Sequence, residues 1–347
     1  MTEELIIARN GELGTLSLNR PQAIHALTLP MVRAMTAALL AWRDDPEVKT
    51  VVIDHAEGRG FCSGGDINLL RHSVLNDHGQ TGRVFFYEEY QLNHLIFAYP
   101  KPVVAFMDGI TMGGGVGICQ PARFHVATEN TRFAMPETGI GLFPDVGGGW
   151  YLSRLPGRIG QFLALTGARF DGADCHWAGL ATHYLPSDVL SEAKARLARG
   201  YAAAEVLAAL AITPPVARIA EHAARIVRHF ASDRLETILD SLTADDSEWA
   251  TRELALVRAK SPQACKVALR QLHDGLLCAD FAANMAMEYR IVSRVLTMPD
   301  FAEGVRAVIV DKDNAPRWDP ATPEAVSHDL IDSIFAALPP DEEWRPL

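Results

Sequence analysis

Cysteine is sparse in this chain of 347 residues: Cys62, Cys119, Cys175, Cys265 and Cys278 are scattered, and no two form a CxxC pair. An odd, dispersed set argues against a disulfide framework and against a zinc knuckle, and reads as reduced thiols in a cytoplasmic protein. No apolar run approaches the roughly 18 residues of a membrane span. The best stretch, Tyr201 to Ile212, is short and broken by Glu205, so no membrane partner is expected. Positive charge is in deficit as well. With 32 basic against 43 acidic residues, a net charge of −11 repels phosphate backbones over most of the surface and disfavours nucleic acid as a partner. The opening MTEELIIARNGELGTLSLNRP carries neither a cationic start with a long apolar run nor an Arg-rich, acid-poor stretch, which again points to the cytoplasm.

Familiar catalytic signatures are missing too. In Gly58-Arg59-Gly60-Phe61-Cys62-Ser63 a serine stands where the dinucleotide fingerprint requires its third glycine, and there is no Walker loop. Phe61 occupies the first glycine position of a nucleophile elbow, which makes Ser63 a poor hydrolase nucleophile. There is no HExxH pair and the 12 histidines form no ligand cluster, so neither a metal nor another cofactor is expected.

What remains, 48% hydrophobic and 22% charged residues, is the composition of a globular protein with one large or two medium domains. Up to about Pro186, short β-branched runs (Thr15 to Leu18, Val51 to Asp54, Val103 to Met107, His125 to Ala127) alternate with helical stretches and glycine-rich turns, the pattern of an α/β domain. The remainder reads as helices over Leu190 to Ala211, Val216 to Ala231, Pro262 to about Leu272 and Phe281 to Leu296. Ser261-Pro262 supplies a capping hydroxyl ahead of a first-turn proline. The chain divides on this reading into an α/β core, 1–195, and a helical region, 196–347.

Three segments carry the candidate chemistry. Ser63-Gly64-Gly65-Asp66 follows a strand, and its small residues let a ligand approach the backbone and leave amide hydrogens free to point at it. Gly113-Gly114-Gly115-Val116-Gly117 follows another strand. In a helix interior each glycine costs about 1 kcal/mol against alanine, so close packing or ligand contact must compensate. In Met135-Pro136-Glu137 through Pro144-Asp145-Val146-Gly147-Gly148-Gly149, Glu137 and Asp145 are isolated carboxylates among apolar residues, and an apolar pocket would raise such a pKa and fit the group for acid, base or nucleophile duty.

Taken in order, Leu18-Asn19-Arg20-Pro21, Phe61-Cys62-Ser63-Gly64-Gly65-Asp66, Gly113-Gly114-Gly115 and Met135-Pro136-Glu137 resemble the enoyl-CoA hydratase/isomerase, or crotonase, superfamily. The resemblance implies an α/β fold, a spiral of ββα turns followed by a helical C-terminal region. It also implies an acyl-CoA substrate, with coenzyme A part of that substrate rather than a cofactor. The amides of Gly65 and Gly114 would form the oxyanion hole, with Ser63, Gly64, Asp66 and Gly113 around the substrate.

Within the superfamily the chain is similar to the 3-hydroxyisobutyryl-CoA hydrolase family, through Glu88-Glu89-Tyr90, Ile110 to Gly117, Glu137 to Gly149, Glu303-Gly304-Val305-Arg306-Ala307 and Asp311-Lys312-Asp313. That similarity implies Glu137 as the reactive carboxylate, nucleophile or general base, Asp145 on the 3-hydroxyl of the acyl group, Glu89 in the acyl pocket, and a place in valine breakdown. Hydratases usually carry a second glutamate where this chain has Gly117. An enoyl-CoA hydratase/isomerase and a non-catalytic acyl-CoA-binding protein are the alternatives. His25 departs from the Asn commoner in relatives, and Arg20, Arg59, Lys101 and Lys266 are candidate partners of the nucleotide part. Whether the helical region mediates a homo-oligomer or covers its own active site stays open.

Overall fold

The computed structural model describes residues 3–347. Among the described residues ten strands form two sheets: β1 (Leu5–Asn10), β2 (Leu13–Leu18), β3 (Thr50–His55), β4 (Gly60–Cys62), β5 (Val103–Met107), β6 (Ile110–Met112), β7 (Phe124–Ala127), β8 (Arg132–Ala134), β9 (Phe170–Asp171) and β10 (His183–Tyr184). The larger sheet runs β1-β2-β3-β5-β7-β10 and is parallel except for the β1/β2 hairpin; the smaller runs β4-β6-β8-β9, antiparallel only at β8/β9. Consecutive strands therefore split between the sheets. β3 and β4, β5 and β6, and β7 and β8 each place one strand in either sheet before a helical segment begins, which is the expected ββα spiral.

Alternation along the strands explains the layers. Val51 and Ile53 of β3, with Val103, Ala105 and Met107 of β5, face the main core, whereas Val52, Val104 and Phe106 face a second core. The second core is closed by Leu197, Val206 and Leu207 from the Leu190–Ala198 and Ala203–Leu210 helices. A sheet buried on both faces needs near-continuous apolar strands, and these strands have them.

The helix expected over Leu190 to Ala211 breaks where Gly200 adopts φ +85, close against Glu12. The stretch from Val216 to Ala231 likewise shortens, to a 3-10 turn, Arg218–His222, and a helix, Ala223–His229. The predicted cap holds: Ser261 accepts the Ala264 N–H at 3.0 Å with Pro262 in the first turn, and the helix runs further than expected, Pro262–Leu277.

The division at 195/196 falls inside the Leu190–Ala198 helix, and the main core contains residues from both sides of it, among them Tyr90, Phe133, Phe281 and Phe301. The Phe281–Val295 helix packs on Gln80–Phe97. Pro299–Val305 packs on Ile67–Asp77 and on the 3-10 turn Glu137–Ile140. Gly304 makes that last contact: a Cβ there would lie 2.5 Å from Ile140 Cα. Gly304→Ala is therefore expected to destabilise the fold by roughly 1–3 kcal/mol through overpacking, read as a lower urea midpoint; an unchanged midpoint contradicts the contact.

Candidate active site

Each spiral turn delivers one wall of the site at the same point, where its second strand gives way to a helical segment. After β4 come Ser63, Gly64 and Gly65; after β6, Gly113 and Gly114; after β8, Glu137. Leu27 donates to Gly64 O at 2.7 Å and accepts from Asp66 N at 2.9 Å, so the Gly65 N–H between them faces the other way. Gly64 has φ +114, a conformation open to glycine. Gly113, at φ +49 and ψ −125, turns the chain into the Gly114–Cys119 helix, and the first helical bonds return to Gly113 O from Val116 and Gly117. Gly114 is thereby left with a free N–H, as at any helix start. Neither the Gly65 nor the Gly114 N–H has an acceptor among the described residues. The two segments touch: a Cβ on Gly114 would sit 3.2 Å from Gly65 N and against Glu89 Oε1.

These residues line a cavity of about 460 Å³, together with Glu89, Glu137, Asp145, Lys260 and an apolar surface including Leu70, Phe85, Phe86, Met112 and Leu142. Three carboxylates in such a place are costly unless paired or protonated. Glu137 is buried, its Oε2 has no partner among the described residues, and a Cβ on Gly113 would lie 3.4 Å from its Oε1. Burial first, then the charge of Asp145, pushes the Glu137 pKa well above the ordinary carboxylate range, while Lys260 pulls the other way. Asp145 is pushed up to about 7 by burial and by the charge of Glu288, against the hydrogen bond that Tyr90 Oη donates to its Oδ2 at 2.9 Å. Glu89 is raised by burial and by Asp145, and its buried Oε1 also lacks a partner among the described residues. A solvated helix face, the bland reading of the charged run around Glu89, is not what the fold makes of it.

The C-terminal region forms the roof. Ala259 and Lys260, Val308 and Ile309 of the π-helical Arg306–Val310 segment, Asn314 and Pro316 all line the cavity. Arg306 donates to Glu303, Asp311 and Asp313 and so ties this segment into shape, which accounts for the late motif picked out in the sequence. Helices of the same chain thus cover the site.

Of the residues expected around the substrate, Ser63, Gly64, Gly65, Glu89, Gly113, Gly114, Glu137 and Asp145 line the cavity. Asp66 is not among the lining residues. Its carboxylate caps the Ile67–Asp77 helix at Leu69 N and pairs with Arg20 at 2.8 Å, so its work is to fix the turn. The Ser63 hydroxyl donates to Ala23 O and likewise serves the turn.

Arg20 is engaged by Glu4 and Asp66, Lys101 by the carbonyls of Trp42 and Asp45, and Lys266 by Glu236. His25 is buried, accepting from Arg20 N and bonded through Nε2 to Glu57 O, both at 2.9 Å, which fits a loop lock. Lys260 and Glu288 were not singled out from the sequence, and Tyr90 entered only as part of Glu88-Glu89-Tyr90, with no role of its own. Glu288 carries a legible signal, a charge on the apolar stripe of Phe281, Met285 and Val292. Lys260, in a loop, carries none. Among the described residues no cluster of His, Cys, Asp and Glu could hold a metal ion, and no helix is long and apolar enough to cross a membrane.

A profile of the enoyl-CoA hydratase/isomerase family matches residues 13–335. The chain is 41% identical to the mitochondrial 3-hydroxyisobutyryl-CoA hydrolase of Rattus norvegicus, over 97% of this chain and 90% of that protein. It is 40% identical to the human protein of the same name, over 97% and 89%. Among solved structures it is similar to a carnitinyl-CoA dehydratase from Mycobacterium thermoresistibile, with 38% identity and a TM-score of 0.94, and to an enoyl-CoA hydratase from Rhodobacter sphaeroides 2.4.1, with 39% identity and a TM-score of 0.92, each over 99% of both chains. The names of the hydrolase relatives place them in mitochondria, in contrast to the cytoplasmic location expected from the sequence.

A raised carboxylate pKa has a stability consequence. Between the ordinary value of 4.5 and the raised one, the unfolded chain is ionised at Glu137 while the folded chain holds its proton, so stability falls as pH rises through that window. Glu137→Gln removes the loss. Its stability relative to the parent is expected to be smallest at pH 4 and to grow towards pH 8. Thermal melts at the two pH values check this, and a variant that loses relative stability on going to pH 8 contradicts it.

Proposed function

The chain belongs to the enoyl-CoA hydratase/isomerase family, and within it we propose the hydrolysis of a short 3-hydroxyacyl-CoA thioester, 3-hydroxyisobutyryl-CoA to 3-hydroxyisobutyrate and CoA, a step of valine breakdown. The observation that carries this reading is Glu137, with a carboxylate oxygen that has no partner among the described residues, in one cavity with two amides that likewise have no acceptor there. The thioester carbonyl oxygen would lie between Gly65 N and Gly114 N, where the negative charge of a tetrahedral intermediate is stabilised as it forms. Glu137 then acts in one of two ways. As nucleophile it forms an acyl-enzyme anhydride, the C–S bond breaks, CoA leaves as thiolate and takes a proton, and water cleaves the anhydride. As general base it takes a proton from the attacking water and the thiolate leaves directly. In both the balance is thioester and water to acid and thiol. Asp145, poised near neutrality, would hold the 3-hydroxyl of the acyl group and Glu89 would line the acyl pocket.

Hydration of an enoyl thioester is the second reading, favoured by the names of the two similar structures. It needs a second carboxylate where this chain has Gly117. There a Cβ would lie 2.6 Å from Val146 Cβ and 3.0 Å from Asn93 Nδ2, so the packing has no room for a longer side chain.

Incubation with 3-hydroxyisobutyryl-CoA should release free thiol, while crotonyl-CoA should keep its enoyl absorbance. Enoyl loss without thiol release favours the hydratase, and neither change a binding protein. Glu137→Gln is expected to cut thiol release at least about a hundredfold, the lower range for loss of a positioned base, with thioester binding retained. Asp145→Gly should cost more on 3-hydroxyisobutyryl-CoA than on isobutyryl-CoA; equal losses remove Asp145 from hydroxyl recognition.

A further inference from the structure

Asp145 leads into Val146-Gly147-Gly148-Gly149, a run the hydrolytic chemistry does not itself require. The backbone there is strained: Val146 sits at φ +52, which a β-branched side chain resists, and Gly147 at +93. Something must hold that turn, and the contacts point to Glu288, wholly buried on the Phe281–Val295 helix. Its Oε2 accepts the Gly147 N–H at 2.7 Å. Its Oε1 accepts the Gly149 N–H, Gln271 Nε2 and Asn284 Nδ2, each at 2.9 Å. Gln271 Nε2 also donates to Pro144 O at 2.7 Å, so the residue before Asp145 is held from the same side. A Cβ on Gly149 would lie 2.7 Å from Asn284 Oδ1 and 3.1 Å from Glu288 Oε1; only a bare α-carbon lets the carboxylate in. Four donors converge on the carboxylate and favour its charged form, while burial works against them and pushes its pKa up to about 7.

We propose that Glu288 is the positioning residue for Asp145: its carboxylate fixes the strained turn that aims Asp145 into the cavity and stands behind it as a second buried acid. The proposal rests on the hydrolytic reading of the site. The groups facing Asp145 are Glu89 and Tyr90 from the Gln80–Phe97 helix, Glu137 from its 3-10 turn, and Glu288; Lys260 acts on Glu137. After burial itself, the charge of Glu288 does most to hold Asp145 up, and Tyr90 opposes it. The glycine run and the late acidic residue are thus two halves of one device. It keeps a carboxyl group near neutrality, able to donate to or accept from the substrate hydroxyl.

Rates of thiol release from 3-hydroxyisobutyryl-CoA across pH test this in the wild type, Glu288→Gln, Asp145→Asn and the double variant. The wild type should show a limb near pH 7, where burial puts both Asp145 and Glu288, and that limb should be weakened in Asp145→Asn. In Glu288→Gln that limb should move to lower pH by about one unit, because a neighbouring like charge has gone, and kcat should fall at least tenfold. In the double variant the second substitution should cost little more than Asp145→Asn alone. A purely structural glutamate would lower the rate at every pH, leave the limb in place and add its loss to that of Asp145→Asn; either result overturns the assignment, as does a wild type without the limb. If Glu288→Gln does not fold, Asn284→Ala, which removes one of the four donors, takes its place. It should show a smaller loss with the same lack of additivity, and additive losses overturn the proposal. A wild type that releases no thiol overturns the hydrolytic reading and this one with it. An active wild type with an unmoved limb in Glu288→Gln overturns this one alone.

Discussion

The site depends on how closely two stretches of bare backbone approach each other. Gly64-Gly65 and Gly113-Gly114 come from successive turns of the spiral, and a single added carbon on Gly114 would collide with Glu89 and sit within 3.2 Å of Gly65 N. Leu27 occupies the bonding groups flanking Gly65, and the start of a helix leaves that of Gly114 unmatched. Two donors held in place by the fold cost no reorganisation when charge develops beside them, which is why such preorganisation is the largest single contribution in many acyl transfers.

Opposite these donors the fold collects acid. Glu89, Glu137 and Asp145 share the cavity with Lys260, and burial raises all three carboxyl pKa values. Such an arrangement works against stability and for chemistry, the usual trade at a functional site. The C-terminal helices make it tolerable. They line the cavity with Val308 and Ile309, bring Lys260 to Glu137, and through Glu288 and Gln271 grip the turn that carries Asp145. For that reason the helical region is part of the site's construction, and the core does not divide at residue 195.

Much of this could be read in the sequence wherever local pattern and local structure coincide. The strands Val51 to Asp54 and Val103 to Met107, the Ser261 cap and the glycine clusters all announce themselves within a few residues. Two kinds of feature did not. The break at Gly200, where the backbone takes φ +85 against Glu12, and the 3-10 start of the Arg218–His229 stretch are features an alanine-rich pattern reads straight through. The partners of the reactive carboxylates lie far along the chain: Lys260 and Glu288 meet Glu137 and Asp145 only once the C-terminal helices have packed. Asp66 is the reverse case. Its neighbours in the motif line the cavity, yet its own carboxylate is taken by Arg20 and a helix cap.

The central claim is that the two glycine amides receive the thioester oxygen beside Glu137. A crystal structure of Glu137→Gln with 3-hydroxyisobutyryl-CoA bound tests it most directly. The carbonyl oxygen should lie about 2.7–3.1 Å from both Gly65 N and Gly114 N, with the acyl carbon facing residue 137. A thioester bound with its carbonyl directed away from both nitrogens would contradict the account.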